Sequence, residues 1–216
     1  MGDPVVVLVC GALTGLVALI LTPWLRTLTG AESTLPNSGL HAMLACFGGA
    51  GAAAVAGGWA ELVALAVAAL ACSLLVVVDV ATHRLPDLIV VPAFAVVLVA
   101  LVVAAATTGA WPELLRALAG AAVVGLGLLL LCLASPTGLG LGDVKLGALI
   151  ALVLGWTGWA AVAAGILAAF VLGGLFAVIL LATTKADRRT AVAFGPWLVA
   201  GGVVGVAWGP ALLGMA

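Results

Sequence analysis

The sequence predicts an all-α protein, a polytopic membrane bundle of about eight transmembrane helices, and three observations lead there. Hydrophobic residues make up 66% of the 216 positions and charged residues only 7%, whereas a soluble domain carries about 25% charged residues. Apolar runs of roughly 20 residues, the length of one bilayer crossing, alternate with short polar, glycine or proline breaks. Ten-residue segments with strict polar–apolar alternation are absent, so helices rather than a β-barrel are left to satisfy the backbone in lipid.

The first span is expected over residues 5–24. No Lys or Arg precedes it and the apolar run is long, so it reads as a retained span rather than a cleavable signal peptide. Further spans are expected over 40–56, 61–78, 88–106, 112–133, 144–154, 159–182 and 191–213. The breaks between them (26–39, 57–59, 79–87, 107–111, 135–143, 155–158 and 183–190) are short, which makes consecutive helices antiparallel neighbours. The chain reads as one membrane domain over 1–216, with no internal repeat and no soluble module.

The sixth span is the anomaly. Eleven residues rise about 16 Å at 1.5 Å each, well short of the ~30 Å hydrocarbon core. Either Asp143 and its flanks dip into the membrane inside protein, or residues 155–159 lie within the bilayer.

Small residues such as Gly48, Gly49, Gly51, Gly173 and Gly174 let helix backbones approach closely in lipid. Trp24, Trp59, Trp111, Trp156 and Trp159 fall near expected span ends, as an interfacial belt requires. With eight spans and the N-terminus outside, Arg26, Arg84, Lys145, Lys185, Arg188 and Arg189 fall on the cytoplasmic side and only Arg116 outside. Six of the seven basic residues thus obey the positive-inside rule. The breaks holding Asp79 and Asp143 then share the cytoplasmic face.

A net charge of −1 and the lack of any basic stripe give no reason to expect a nucleic acid partner; the lipid bilayer is the expected surrounding. Cys10, Cys46, Cys72 and Cys132 stand singly in apolar runs, without the paired spacing of a zinc or redox site, and read as buried, inert thiols. His41 and His83 are the only histidines, and neither H-E-x-x-H nor G-x-S-x-G occurs. No metal or cofactor is expected.

Two acidic positions carry the candidate chemistry. Asp79 follows the apolar run Leu74–Val78, where a carboxylate wants a partner or a proton. Asp143 ends the break Gly140-Leu141-Gly142, whose glycines let another chain approach. Each has a plainer reading, Asp79 as a helix-end acid reaching water and Asp143 as a cap on the next helix. Together they can do peptide hydrolysis: one ionised carboxylate activates water while a protonated partner polarises the scissile carbonyl.

The stretch Asp79-Val-Ala-Thr-His-Arg-Leu-Pro86-Asp87, followed by Pro92, resembles the first aspartate motif of the type IV prepilin peptidases. Gly140-Leu-Gly142-Asp143-Val-Lys145-Leu is similar to their G-x-G-D-x-K-L motif, and Ala193-Phe194-Gly195-Pro196-Trp197 to their P-F-G-P-F segment. The resemblance implies a GxGD-class membrane aspartic peptidase that removes a short basic leader from prepilins or pseudopilins at the cytoplasmic face of the inner membrane. Asp79 and Asp143 inherit the catalytic roles. Asp87 reads as a helix cap or an accessory residue, Lys145 as a tuner of Asp143 or a cytoplasmic anchor, and Gly140 and Gly142 as accessory. The peptidase core is then 59–216, with two N-terminal helices in 1–58 outside the motif match. Longer members of that family carry a cysteine-paired insert after the first helix and a methyltransferase activity. Here residues 26–39 hold no cysteine pair, so the resemblance supports the peptidase and not N-methylation.

Two alternatives stand beside this reading. One is a GxGD protease acting on other membrane substrates. The other is a small proton-coupled transporter using the acids as a relay, although the broken helices expected at corresponding positions of two repeats have no obvious counterpart here.

Overall fold

A computed structural model describes residues 2–30, 35–134, 139–183 and 193–212. Among them the regular structure is helical throughout and contains no strand. The chain divides into two compact units, Met1–Leu114 and Leu115–Ala216.

The first unit starts with α1 (Pro4–Ile20), capped by the Asp3 carboxylate, which accepts the Val5 N–H at 2.8 Å. Pro4 stands in its first turn, where a missing N–H costs nothing. The span expected over 5–24 is bent by 52° into α1 and α2 (Thr22–Thr29). Pro23, in the first turn of α2, is the reason: it starts a helix readily but cannot continue one. A 3₁₀ turn (Leu35–Ser38) leads to α3 (Leu40–Val55), which packs on α1. The α1–α3 seam is built from small residues: a Cβ on Gly11 would come within 2.9 Å of the Cys46 carbonyl, and one on Gly49 would strike the Thr14 side chain. Thr14 Oγ1 also lies 2.8 Å from the Ala45 carbonyl, a hydrogen bond between helices. At the other end of the pair His41 is fully buried, with Nε2 2.9 Å from Thr22 Oγ1.

Next, α4 (Trp59–Thr82) packs between α3 and α5 (Asp87–Thr108). It stops at His83, a non-glycine residue in the left-handed region (φ 52°), whose N–H bonds back to the Asp79 carbonyl at 2.8 Å. Pro92 lies inside α5, and Gly109 (φ 78°) ends it. The boundary between the units falls in the first turn of α6 (Trp111–Ala134).

In the second unit, α7 (Leu141–Thr157) is the innermost helix: Leu146, Gly147 and every residue from Leu149 to Gly155 are buried. On one side it lies against α6 through glycine. A Cβ on Gly155 would be 2.7 Å from the Ala117 Cα, one on Gly120 3.1 Å from the Ala151 carbonyl, and one on Gly125 3.3 Å from the Ala148 Cβ. On the other side are α8 (Trp159–Thr183) and α9 (Gly195–Leu212), themselves joined backbone to backbone. A Cβ on Gly205 would sit 2.6 Å from the Ala161 carbonyl, and one on Gly209 2.6 Å from the Ala161 Cα. Four aromatic rings gather around Gly173, with Phe170 against Phe194 (5.3 Å between centroids) and Phe176 against Trp197 (4.9 Å).

The all-α polytopic bundle therefore stands. By length and composition α4, α5, α6 and α8 can each cross a membrane, and the bent pair α1–α2 makes a fifth candidate. The short sixth span is corrected. Helix α7 begins at Leu141 and runs through Gly155 and Trp156 to Thr157, 17 residues or about 25 Å. Two of the four cysteines, Cys10 and Cys46, are only half-buried, while Cys72 and Cys132 are buried as expected; all four are free thiols. Lys185, Arg188, Arg189, the expected start of the last span at 191 and the first part of the 135–143 break lie outside the described residues.

Candidate active site

Asp79 was expected in a loop and lies in a helix. Nothing between Val78 and Thr82 breaks the backbone, so α4 continues past the polar residues and Asp79 falls in its last turn, 4% exposed. Its immediate neighbours Val77 and Val78 are buried as well. Asp87 is the first residue of α5 and is exposed; the residue in the capping position is Pro86, in extended conformation. Both belong to the first unit.

Gly140, Gly142, Asp143 and Lys145 belong to the second unit. The capping residue of α7 is Gly140, and Asp143 is the third helical residue. Its Oδ2 accepts the Gly140 N–H at 3.0 Å, while the Asp143 N–H bonds the Gly140 carbonyl at 3.1 Å. Glu61 does the same work at the start of α4, accepting the Gly57 N–H at 2.9 Å. Asp143 is half-buried. The helix dipoles separate the two aspartates. An acid in the first turn of α7 faces the positive end of its helix, and an acid in the last turn of α4 faces the negative end.

Neither glycine of the G-x-G-D string is required by its backbone angles. Gly140 is extended (φ −84°), Gly142 lies inside α7, and the positive-φ glycines among the described residues are Gly30, Gly39 and Gly109. Their contribution is the absence of a side chain. Lys145 is exposed, two residues beyond Asp143 on the same helix, a spacing that does not place two side-chain stems on one face.

Sequence reasoning passed over one residue of this unit. Arg116 on α6 donates from Nε to the Gly155 carbonyl and from Nη2 to the Trp156 carbonyl, both at 2.7 Å. The signal was present, since Arg116 is the one basic residue that the topology placed on the wrong face.

A polytopic helical membrane protein with one acid ending a buried helix and another opening the next unit's innermost helix is the class that fold and site define. The chain matches the model of the Type IV leader peptidase family over residues 63–178, more than half its length, and it belongs to that family. It is 34% identical over 137 residues to a prepilin leader peptidase/N-methyltransferase of Pseudomonas putida, an alignment covering 61% of this chain and 45% of that one. A protein of the same name from Stutzerimonas stutzeri is 33% identical over 137 residues, with the same coverage. The chain thus spans less than half the length of these curated relatives. No solved structure matches.

Proposed function

We propose that this protein is a membrane-embedded aspartic endopeptidase that cleaves the short basic leader from prepilin-like or pseudopilin substrates, with Asp79 and Asp143 as the catalytic pair. The observation that carries the reading is that the family match, residues 63–178, includes both aspartates, each placed at the end of a helix rather than in a free loop. In the reaction one carboxylate takes a proton from water as the oxygen adds to the scissile carbonyl carbon. The other, protonated, donates to the carbonyl oxygen, and collapse of the tetrahedral intermediate breaks the C–N bond as the amine leaves with a proton. The bare backbone at Gly140 and Gly142 leaves room for an extended substrate chain beside Asp143.

The same reading makes 59–216 the peptidase core of a single membrane domain, with eight crossings, the N-terminus outside and the active site on the cytoplasmic face of the inner membrane. Asp87 and Lys145 are accessory. Peptidase activity is proposed and N-methylation is not: the matching family model describes a leader peptidase, and residues 26–39 lack the cysteine pairs of the longer members.

The test is cleavage of a co-expressed prepilin by the parent, Asp79→Asn and Asp143→Asn proteins at equal membrane levels. Both variants are expected to be inactive. Parent-like cleavage by either one removes the pair, and cleavage of a transmembrane substrate in place of a basic leader reassigns the protein to another GxGD activity.

A further inference from the structure

The seam between α6 and α7 is repetitive. On α6 the small residues Ala117, Ala121 and Gly125 recur at every fourth position, and on α7 Gly147, Ala151 and Gly155 do the same. In the observed register Gly155 meets Ala117, Ala151 meets Gly120, and Ala148 meets Gly125. Gly147 faces Leu128 instead, yet a slip of one turn, about 5–6 Å, would still bring Gly155 to Ala121 in one direction and Ala151 to Ala117 in the other. On its other side Leu154 is seated between Gly165 and Gly205 and Ile150 lies against Gly202, so a slip along α6 would carry α8 and α9 with α7. The α6–α7 seam by itself therefore specifies the axial position of α7 weakly.

Arg116 removes that degeneracy. Carbonyls inside a helix are already engaged, and only those of the last turn lack a partner four residues on. The Leu154 carbonyl accepts the Gly158 N–H at 2.8 Å, and the next two, Gly155 and Trp156, receive the two arms of the half-buried Arg116 guanidinium. One turn in either direction, the fork would face carbonyls already bonded within the helix, or the end of the helix would have passed beyond it. A single buried polar group that fixes the register of an otherwise repetitive helix interface is a well-attested device. A guanidinium supplies the planar, two-pronged geometry for it.

We infer that Arg116 is a positioning residue: by clamping the C-terminal carbonyls of α7 it fixes the height and rotation of that helix, and so of Asp143 in its first turn. The two ends of α7 that matter, Gly155 and Asp143, lie twelve residues apart on one continuous helix, about 18 Å. The claim about register stands by itself, and its consequence for catalysis rests on the function proposed above.

The test uses the full chain with its four native cysteines replaced. Register is read by disulfide formation between Ala148→Cys and a second cysteine at Gly125, Ala121 or Leu129. The first pair reports the observed register, because its Cβ atoms are close enough to bridge, and the other two report a one-turn slip in either direction. With Arg116 present, crosslinking is expected to favour 125/148 strongly. With Arg116→Met that preference should fall, slipped crosslinks should appear, and prepilin cleavage should drop by at least about tenfold. Arg116→Lys, which offers a single point of attachment, should recover part of both. The pH profile of cleavage separates displacement from loss of folded protein: partial unfolding scales the profile down, whereas moving Asp143 shifts its limbs. A parent-like 125/148 preference in the Met variant overturns the register claim. Slipped crosslinks with parent-like cleavage overturn the positioning role. If the Met variant fails to accumulate, the Lys variant decides, since its parent-like crosslinking would equally overturn the claim. Absence of cleavage by the Arg116 protein itself would refute the proposed peptidase function and leave the crosslinking result to judge the register.

Discussion

Asp143 Oδ2 accepts the backbone N–H of Gly140 at 3.0 Å, so the acid proposed for catalysis also holds the first turn of its own helix. The two roles separate by substitution. In Asp143→Asn an amide oxygen remains to accept the Gly140 N–H, so stability in detergent should stay within about 0.5 kcal/mol of the parent while cleavage is lost. In Asp143→Ala the cap is lost as well, and stability should fall by about 1 kcal/mol. Unfolding midpoints of the two variants check this, and an Asn variant as unstable as the Ala variant would refute it.

Gly142 lies inside α7, where alanine is the better helix former. Gly142→Ala should fold at least as well as the parent. Gly142→Leu should also accumulate normally but cleave prepilin poorly, because its side chain fills the space proposed for the substrate backbone. Equal cleavage rates for Gly, Ala and Leu at this position would remove that space from the argument.

Gly155 meets backbone, not side chain. A Cβ there would come within 2.7 Å of the Ala117 Cα and 2.8 Å of the Arg116 carbonyl, and neither atom can swing aside. Gly155→Ala should destabilise the protein by about 1–3 kcal/mol, the usual cost of overpacking. Gly127 on α6 provides the control, because a Cβ at that position meets nothing within 4 Å. Thermal stability of the two alanine variants, measured side by side, should differ by most of that amount.

His41 is fully buried, and its Nε2 has Thr22 Oγ1 as its partner at 2.9 Å. Thr22→Val should cost about 1–3 kcal/mol by leaving a buried nitrogen unpaired. The double variant Thr22→Val/His41→Leu should cost less than the sum of the two single changes, since both polar groups leave together. A double-mutant cycle of unfolding free energies measures the difference, and strict additivity would mean that the pair does not interact.

The helical bundle was legible in the sequence because membrane-length apolar runs leave few alternatives. Boundaries set by tryptophan or glycine were legible too: α3 begins at Leu40 and α8 at Trp159, as expected. Errors arose where polarity was taken to mean a loop. Asp79 and Thr82 are polar yet helical, because the break is made by the backbone of His83 and by Pro86 rather than by charge. The same habit shortened α7, since Gly142 and Asp143 looked like a turn and lie in its first turn. The bend at Pro23 was masked by the unbroken apolar run around it. Arg116 was visible as a topological exception, but its partners are 39 and 40 residues away, beyond the reach of any local pattern.

The glycine seams bear on how such a chain can diverge. On α6, Val123, Leu126, Leu130 and Leu131 are exposed, and one aliphatic side chain there can replace another with little penalty. At Gly155, Gly205 or Gly209 the nearest atom across the seam is main chain, so no compensating side-chain change on the opposite helix can restore the fit. Drift should therefore concentrate on the outward faces, while the seams retain nearly fixed residues. A saturation library scored for membrane accumulation would show the bundle as a sparse lattice of intolerant glycines set within a freely exchangeable aliphatic coat.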